Sequence, residues 1–208
     1  QFNKLPFYHS FAGKTVDPAI ELAEILIAKA PPAGGSSHMS KVFFAASGSE
    51  ANDTAMKMVW YYNAALGRPE KRKIISRKKG YHGVTMAAAS MTALAYAQDG
   101  FGLPLDFVKH TTAPDYYNEA QIDESEEDFA NRCALELEEL ILAEGPDTVA
   151  ALFAEPVMGA GGVIIPPAGY FENQNFSKGT ISIAKKISEN TKMSTLISIV
   201  GGGDTISA

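Results

Sequence analysis

Apolar and polar positions along this chain follow two alternating rhythms, one of helices and one of short strands. Asp17 followed by Pro18 opens a helix to about Lys29, which Pro31-Pro32 stops. A turn-rich linker, Ala33 to Ser40, comes next. The apolar run Val42 to Ala45 predicts a strand that feeds a helix from Glu50 to about Leu66. On that helix Ala55, Val59, Tyr62 and Leu66 recur at helical spacing as the core stripe, and Gly67 ends it. Trp60 and Tyr61 lie off the stripe, where they would face a partner subunit, the substrate mouth or simply solvent. Ile74-Ile75 predicts a short strand whose flanking basic residues are solvated, and Met86 to Ala97 a helical or irregular stretch rich in Ala and Met. The acidic run Asp123 to Asp128 precedes an amphipathic helix that closes at Gly145-Pro146, and Val149 to Ala154 is a further strand. Strands alternating with helices indicate an α/β fold with a mainly parallel sheet and flanking helices. No internal repeat is visible.

Composition narrows the class. At 208 residues the chain is long enough for one sizeable core. A lone cysteine, Cys133, excludes an intrachain disulfide, and its place on the apolar face of a helix reads as a small buried hydrophobe. The net charge of −6 argues against general affinity for nucleic acid or for an anionic membrane, despite the basic run from Lys71 to Lys79. No apolar segment approaches the ~20 residues of a membrane helix, and no signal-peptide pattern opens the chain. The expected compartment is cytoplasmic. Without a Met before Gln1, the chain is expected to begin within a domain. No His or Cys falls at metal-ligand spacing, so no metal site is expected.

The chemistry concentrates at Phe43-Phe44-Ala45-Ala46-Ser47-Gly48-Ser49-Glu50-Ala51-Asn52-Asp53. An apolar run ends in small residues and then starts a long helix. The first turn of a helix has N–H groups without intrahelical partners, and the macrodipole adds about half a positive charge there. Gly48 permits close approach of the backbone, and Ser47 and Ser49 can add hydroxyl donors. An ordinary N-cap has the same local pattern, so the stretch by itself leaves both readings open.

Further motifs follow in order: Gly80-Tyr81-His82-Gly83-Val84-Thr85, then Phe101-Gly102-Leu103-Pro104, then Ala154-Glu155-Pro156-Val157-Met158-Gly159-Ala160-Gly161-Gly162-Val163. With Ser47 to Asp53 they resemble the class III aminotransferases, which use pyridoxal 5′-phosphate (PLP), and among these the omega-transaminases of amine:pyruvate type. The resemblance runs from Gln1 to about Glu172. It implies the large domain of a fold type I PLP-dependent transferase over residues 1–172, with small-molecule amine and keto acid substrates and a homodimer. It also implies site roles. Ser47, Gly48 and Ser49 would hold the cofactor phosphate. Tyr81 would stack on the pyridine ring, His82 would orient the loop or pack beside it, and Glu155 would sit near the ring to hold a polar neighbour. Related enzymes that take glutamate carry a Glu where this chain has Ala160, so the resemblance favours an amine or ω-amino acid donor with pyruvate as acceptor.

Transamination by such enzymes needs a lysine that forms a Schiff base with the cofactor and moves the proton. In the family it follows an Asp-bearing strand beyond the Gly-rich segment, and neither is recognisable here. No catalytic lysine is therefore assigned. Residues 173–208 instead resemble the nucleotide domain of the phosphoglycerate kinases, through Phe176, Lys178-Gly179-Thr180 and Gly201-Gly202-Gly203-Asp204-Thr205, with Gly169, Phe171 and Glu172 matching both families where the two resemblances meet. The resemblance implies Glu172 on a nucleotide ribose and Gly201, Gly202, Gly203 and Asp204 at a phosphoryl group, in a short α/β tail joined to the first part as a chimera. Three functions stay open: a PLP-dependent transaminase lacking its lysine, a non-catalytic phosphate-binding or dimer-forming chain, and phosphoryl transfer by the tail.

Overall fold

The computed structural model describes residue 13, residues 15–30 and residues 39–171. It divides into two compact units, Gln1–Phe44 and Ala45–Ala208. The first contains α1, Asp17–Lys29, with Pro18 in the first turn and Lys29 in the last. Its N-cap is Val16, one residue before the acidic cap expected from sequence, and α1 buries none of its residues.

The second unit is built on a sheet of three parallel strands in the order β2-β1-β3. These are β1 at Lys73–Arg77, β2 at Val108–Thr111 and β3 at Val149–Leu152. Among its described residues it also holds helices α2 (Gly48–Ala65), α3 (Met86–Met91), α4 (Ala95–Gln98), α5 (Tyr116–Glu119) and α6 (Glu126–Glu144). Ile74 pairs with Val108 on one side and with Ala151 on the other. It also enters a buried cluster with Met56 of α2, Met91 of α3 and Val108, against which Trp60, Phe107, Ala151 and Phe153 pack. This is the α/β architecture with parallel sheet and flanking helices that the alternation of elements predicts.

Local chemistry starts and stops the two long helices. Ser47 caps α2, its Oγ accepting from Glu50 N at 3.2 Å, while the Glu50 carboxylate accepts from Ala46 N at 2.7 Å. Leu66 is the C-cap, and Gly67 follows at φ +72°. Ser125 caps α6 in the same way, accepting from Asp128 N at 3.1 Å, and Glu126, Glu127 and Asp128 fill the positive end of that helix. Glu124 instead grips Arg132 with both carboxylate oxygens, at 2.8 and 2.9 Å.

Four expectations are corrected. Residues 41–45 carry no strand, because a strand exists only with a ladder partner and the sheet of described residues consists of β1, β2 and β3. The buried side of α2 runs through Ser49, Met56 and Asn63, while Leu66 is exposed. The sheet packs on a line about one residue round the helix from the expected stripe. Trp60 belongs to that packing, its ring 5.1 Å from Phe107 and nearly perpendicular to it, whereas Tyr61 is 80% exposed. Finally, β1 is the central strand and Arg77 at its end is fully buried. Three further cations of the basic run also have partners. Lys71 donates to Pro146 O and Val149 O, Lys73 pairs with Glu144 at 2.8 Å, and Arg72 lies over the Trp60 ring.

Candidate active site

Strand order places the site. The chain leaves β1 for β2 on one side, then crosses back to β3 on the other, so the connections part above the carboxyl ends of β1 and β3. In open parallel sheets that reversal leaves a crevice where ligands bind. The Tyr81 loop follows β1 and Glu155 follows β3 there. The N-terminus of α2 is tied to the same place by hydrogen bonds to the loop.

At α2 the N–H groups of Gly48 and Ser49 have no acceptor among the described residues, since the cap accepts from Glu50 and Ala51. A Cβ at Gly48 would meet nothing within 4 Å, so the space beside the first turn is open. Ser49 is buried, and its Oγ accepts from Val84 N at 3.0 Å, which leaves the hydroxyl proton to be donated. One turn on, Asn52 Nδ2 donates to His82 O at 2.7 Å. Asp53 Oδ1 accepts from Ala88 N at 3.0 Å and so caps α3 from a neighbouring helix. A cup of open N–H groups beside a hydroxyl donor suits a phosphate monoester dianion, so these residues fit the phosphate of PLP.

The Tyr81 loop is held from both ends. Lys79, at φ +63°, extends between Asp115 and Glu119, at 2.7 and 2.8 Å. Tyr81 N donates to Glu155 Oε1 at 2.9 Å, and Gly159 N to Glu155 Oε2 at 3.3 Å. Arg77 donates through Nη2 to the Glu155 backbone oxygen. Glu155 thus joins the end of the central strand, the Tyr81 loop and the turn after β3. Tyr81 is 36% exposed.

His82 is buried with its ring edge-on to Phe153 at 6.4 Å. Burial first, then the Arg77 charge and His110, lowers its pKa to about 4. It is therefore neutral at physiological pH and packs as the loop's inner wall. An unfolded imidazole takes a proton below about pH 6.5. Between there and pH 4 the unfolded chain holds more protons, so stability rises with pH across this window and levels off above it. The expected gain is about 3 kcal/mol, and His110, also lowered by burial, adds to it with the same sign. Denaturant melts at pH 4.5 and 7 should show a smaller difference for His82→Gln than for the unmodified chain. An undiminished difference would assign the slope elsewhere.

The structure brings Ser47, Gly48, Ser49, Tyr81, His82 and Glu155 into one bonded assembly, Ser47 through its cap at the head of α2. Glu172, Gly201, Gly202, Gly203 and Asp204 lie outside the described residues. Sequence reasoning missed Asn52, Asp53, Arg77 and Thr92. Asn52 and Asp53 had a readable signal, because Ser49, Asn52 and Asp53 at i, i+3 and i+4 form one polar helix face. Thr92 had none. Among the described residues there is no group of three His, Cys, Asp or Glu that could hold a metal, and no helix long and apolar enough to cross a membrane. Cys133 is buried, and burial pushes its thiol up to about 12, so it stays protonated.

Comparison with known proteins bears on the family of the chain. Residues 1–176 match the family described as Aminotransferase class-III. A probable gamma-aminobutyrate transaminase 3, mitochondrial, from Oryza sativa subsp. indica is 54% identical over 172 residues, which is 83% of this chain and 33% of that protein. A mitochondrial gamma aminobutyrate transaminase 1 from Solanum lycopersicum gives the same identity and coverage. The chain spans about a third of the length of these curated relatives. Their mitochondrial designation lends no support to the cytoplasmic expectation. Among solved structures, the omega transaminase from Pseudomonas jessenii in complex with PMP superposes with a TM-score of 0.80 at 56% identity, covering 87% of this chain and 38% of that one. On the family match and these relatives together, the chain belongs to the class III aminotransferases, a family that works with PLP.

Proposed function

We propose that this chain carries the phosphate- and ring-binding part of a PLP-dependent transaminase of amine:pyruvate type. The observation that carries the reading is the bonded junction of the α2 N-terminus with the Tyr81 loop, through Ser49 Oγ and Val84 N, beside the open N–H groups of Gly48 and Ser49. Bound PLP would supply the electron sink for moving an amino group between an amine and a keto acid. Gly48 and Ser49 would hold its phosphate by backbone N–H and hydroxyl donors. Tyr81 would limit the tilt of the ring, and Glu155, with both oxygens engaged by N–H groups, would hold that loop at the ring's edge. Ala160, in the turn next to Glu155, leaves no carboxylate to shield a substrate-binding arginine, which supports an amine or ω-amino acid donor and pyruvate. A homodimer fits the family habit of building the site between two subunits.

No lysine of the 208 residues sits in a motif that would place it at the cofactor's aldehyde carbon, so the chain by itself is proposed to bind PLP without turnover. The tail from residue 173 is proposed as a phosphoglycerate-kinase-like segment joined to the aminotransferase part, supported by its Gly-Gly-Gly-Asp-Thr and Lys-Gly-Thr words. The test is titration with PLP followed by cofactor absorbance, then borohydride treatment and peptide mapping. Saturable binding with no single lysine modified is expected, and a stoichiometric adduct at one lysine would overturn the inactive reading. Thermal stabilisation by inorganic phosphate with no PLP absorbance band would favour a non-catalytic phosphate-binding chain.

Gly48→Ala sharpens the test. Gly48 is at a helix start, its φ is outside the left-handed region, and its Cβ would enter empty space, so stability should change by less than about 1 kcal/mol. The same methyl occupies the space a phosphate needs against the first turn, so PLP affinity should fall by about tenfold or more. Unchanged affinity would remove Gly48 from the cup.

A further inference from the structure

Thr92 follows directly on α3 and is fully buried, yet belongs to none of the motifs legible in the chain. Its Oγ1 accepts from His82 N at 2.8 Å and from Gly83 N at 3.2 Å, and donates to Gly83 O at 3.0 Å. One hydroxyl thus satisfies three backbone groups of a segment that has no strand or helix ladder to serve them. On one side of that segment is Tyr81. On the other is Val84, whose N–H is bonded to Ser49 Oγ. Asn52 supports the same peptide by donating to His82 O. Gly83 runs at φ +132° and passes so close to α2 that its missing Cβ would fall 2.5 Å from Ser49 Oγ. The loop's path past the helix start is fixed in a space with no slack, and Thr92 is the side chain that holds it from beneath.

We propose that Thr92 is a positioning residue of the cofactor site: without touching the cofactor, it fixes the His82–Gly83 backbone and so sets the tilt of Tyr81 and the seat of Val84 on Ser49. The proposal rests on the reading of this region as a PLP site. Valine copies the shape of threonine but offers no hydrogen bond, so Thr92→Val strands two donors and one acceptor in a dry interior, and the loop must shift to find water. Serine keeps the hydroxyl and loses only a methyl group.

The experiment uses the whole 208-residue chain, unmodified and as Thr92→Ser and Thr92→Val. PLP is titrated with absorbance and with the circular dichroism induced in the bound cofactor, a signal that reports ring orientation. Amide hydrogen exchange over residues 81–84 is measured without PLP. Thr92→Ser should bind within about threefold of the unmodified chain, with the same induced spectrum. Thr92→Val should bind at least about tenfold more weakly, with an altered spectrum and faster exchange at 82–84. A folded Thr92→Val that matches the unmodified chain in affinity, spectrum and exchange overturns the proposal. If Thr92→Val does not fold, Thr92→Ser decides alone: loss of affinity and loop protection despite the retained hydroxyl overturns it, and their retention supports it. Absence of saturable PLP binding by the unmodified chain overturns the cofactor reading itself. That failure is distinguishable, because loop exchange still separates Thr92→Val from Thr92→Ser when Thr92 anchors the loop.

Discussion

Gly83→Ala is expected to destabilise the fold by about 4 kcal/mol and to lower Tm by roughly 10 °C. Two costs combine. At φ +132° the backbone is in a region that L side chains rarely adopt, which accounts for about 1–3 kcal/mol. The added Cβ would also lie 2.5 Å from Ser49 Oγ, 2.9 Å from Ser49 Cα and 2.9 Å from Ala88 Cβ, an overpacking worth about 1–3 kcal/mol more. Ser49 Oγ could swing away, but it would then drop its bond to Val84 N, and Ser49 Cα cannot move without α2. The loop therefore has to lift off the helix start, and PLP binding should be lost along with stability. Thermal melts and PLP titration, side by side with Gly48→Ala, check this. Gly48→Ala should leave the melt nearly in place and weaken binding, whereas Gly83→Ala should move both. A Gly83→Ala chain within about 1 kcal/mol of the unmodified one would show that the loop does not press on α2 as described.

The difference between these two glycines also marks what sequence can reveal. Both stand in readable motifs, but the word Ser-Gly-Ser and the word Tyr-His-Gly carry no sign that one glycine faces open space and the other another backbone. That distinction arises only when residues far apart along the chain meet. The long helices were legible because their signals are local: small residues Ser47 to Ser49 before one, the acidic run Asp123 to Asp128 before the other, and Gly67 and Gly145 at the ends. The buried line of α2 was displaced by about one residue, because which face turns inward is set by the sheet, not by the helix. Arginine seldom lies in an interior, so sequence alone places Arg77 at a solvated strand end. Its burial follows from β1 being central and from the Glu155 carbonyl and the Tyr170 ring that receive it. Among the site residues, Ser47, Gly48, Ser49, Tyr81, His82 and Glu155 could be named from the resemblance. That Ser49 also serves the loop, and that Glu155 accepts from two N–H groups, needed the fold.

Phe129→Ala tests the other kind of dependence, stability supplied away from the cup. Phe129 is fully buried in the first turns of α6, in a cluster with Ala130, Cys133 and Tyr170. The Tyr116 ring meets it edge-on at 5.6 Å, and the Arg132 guanidinium lies 5.0 Å above its face. Truncation to alanine removes the ring and leaves a cavity that the cap at Ser125 and the doubly bonded Arg132 hinder from collapsing, so the expected cost is about 4 kcal/mol. The Tm should fall by roughly 10 °C, as for Gly83→Ala. Binding should separate the two. None of the residues that touch Phe129 belongs to the phosphate cup, so PLP affinity measured well below the melt should stay within about threefold. A route of communication runs through Tyr170, which shares the cluster with Phe129 and stands 6.0 Å from the Arg77 guanidinium, itself bonded to the Glu155 carbonyl, and a second through Tyr116, whose neighbour Asp115 holds Lys79 at the start of the Tyr81 loop. If Phe129→Ala weakens PLP as strongly as Gly83→Ala does, these contacts from the α6 cluster, and not only the packing of the loop on α2, set the geometry of the site.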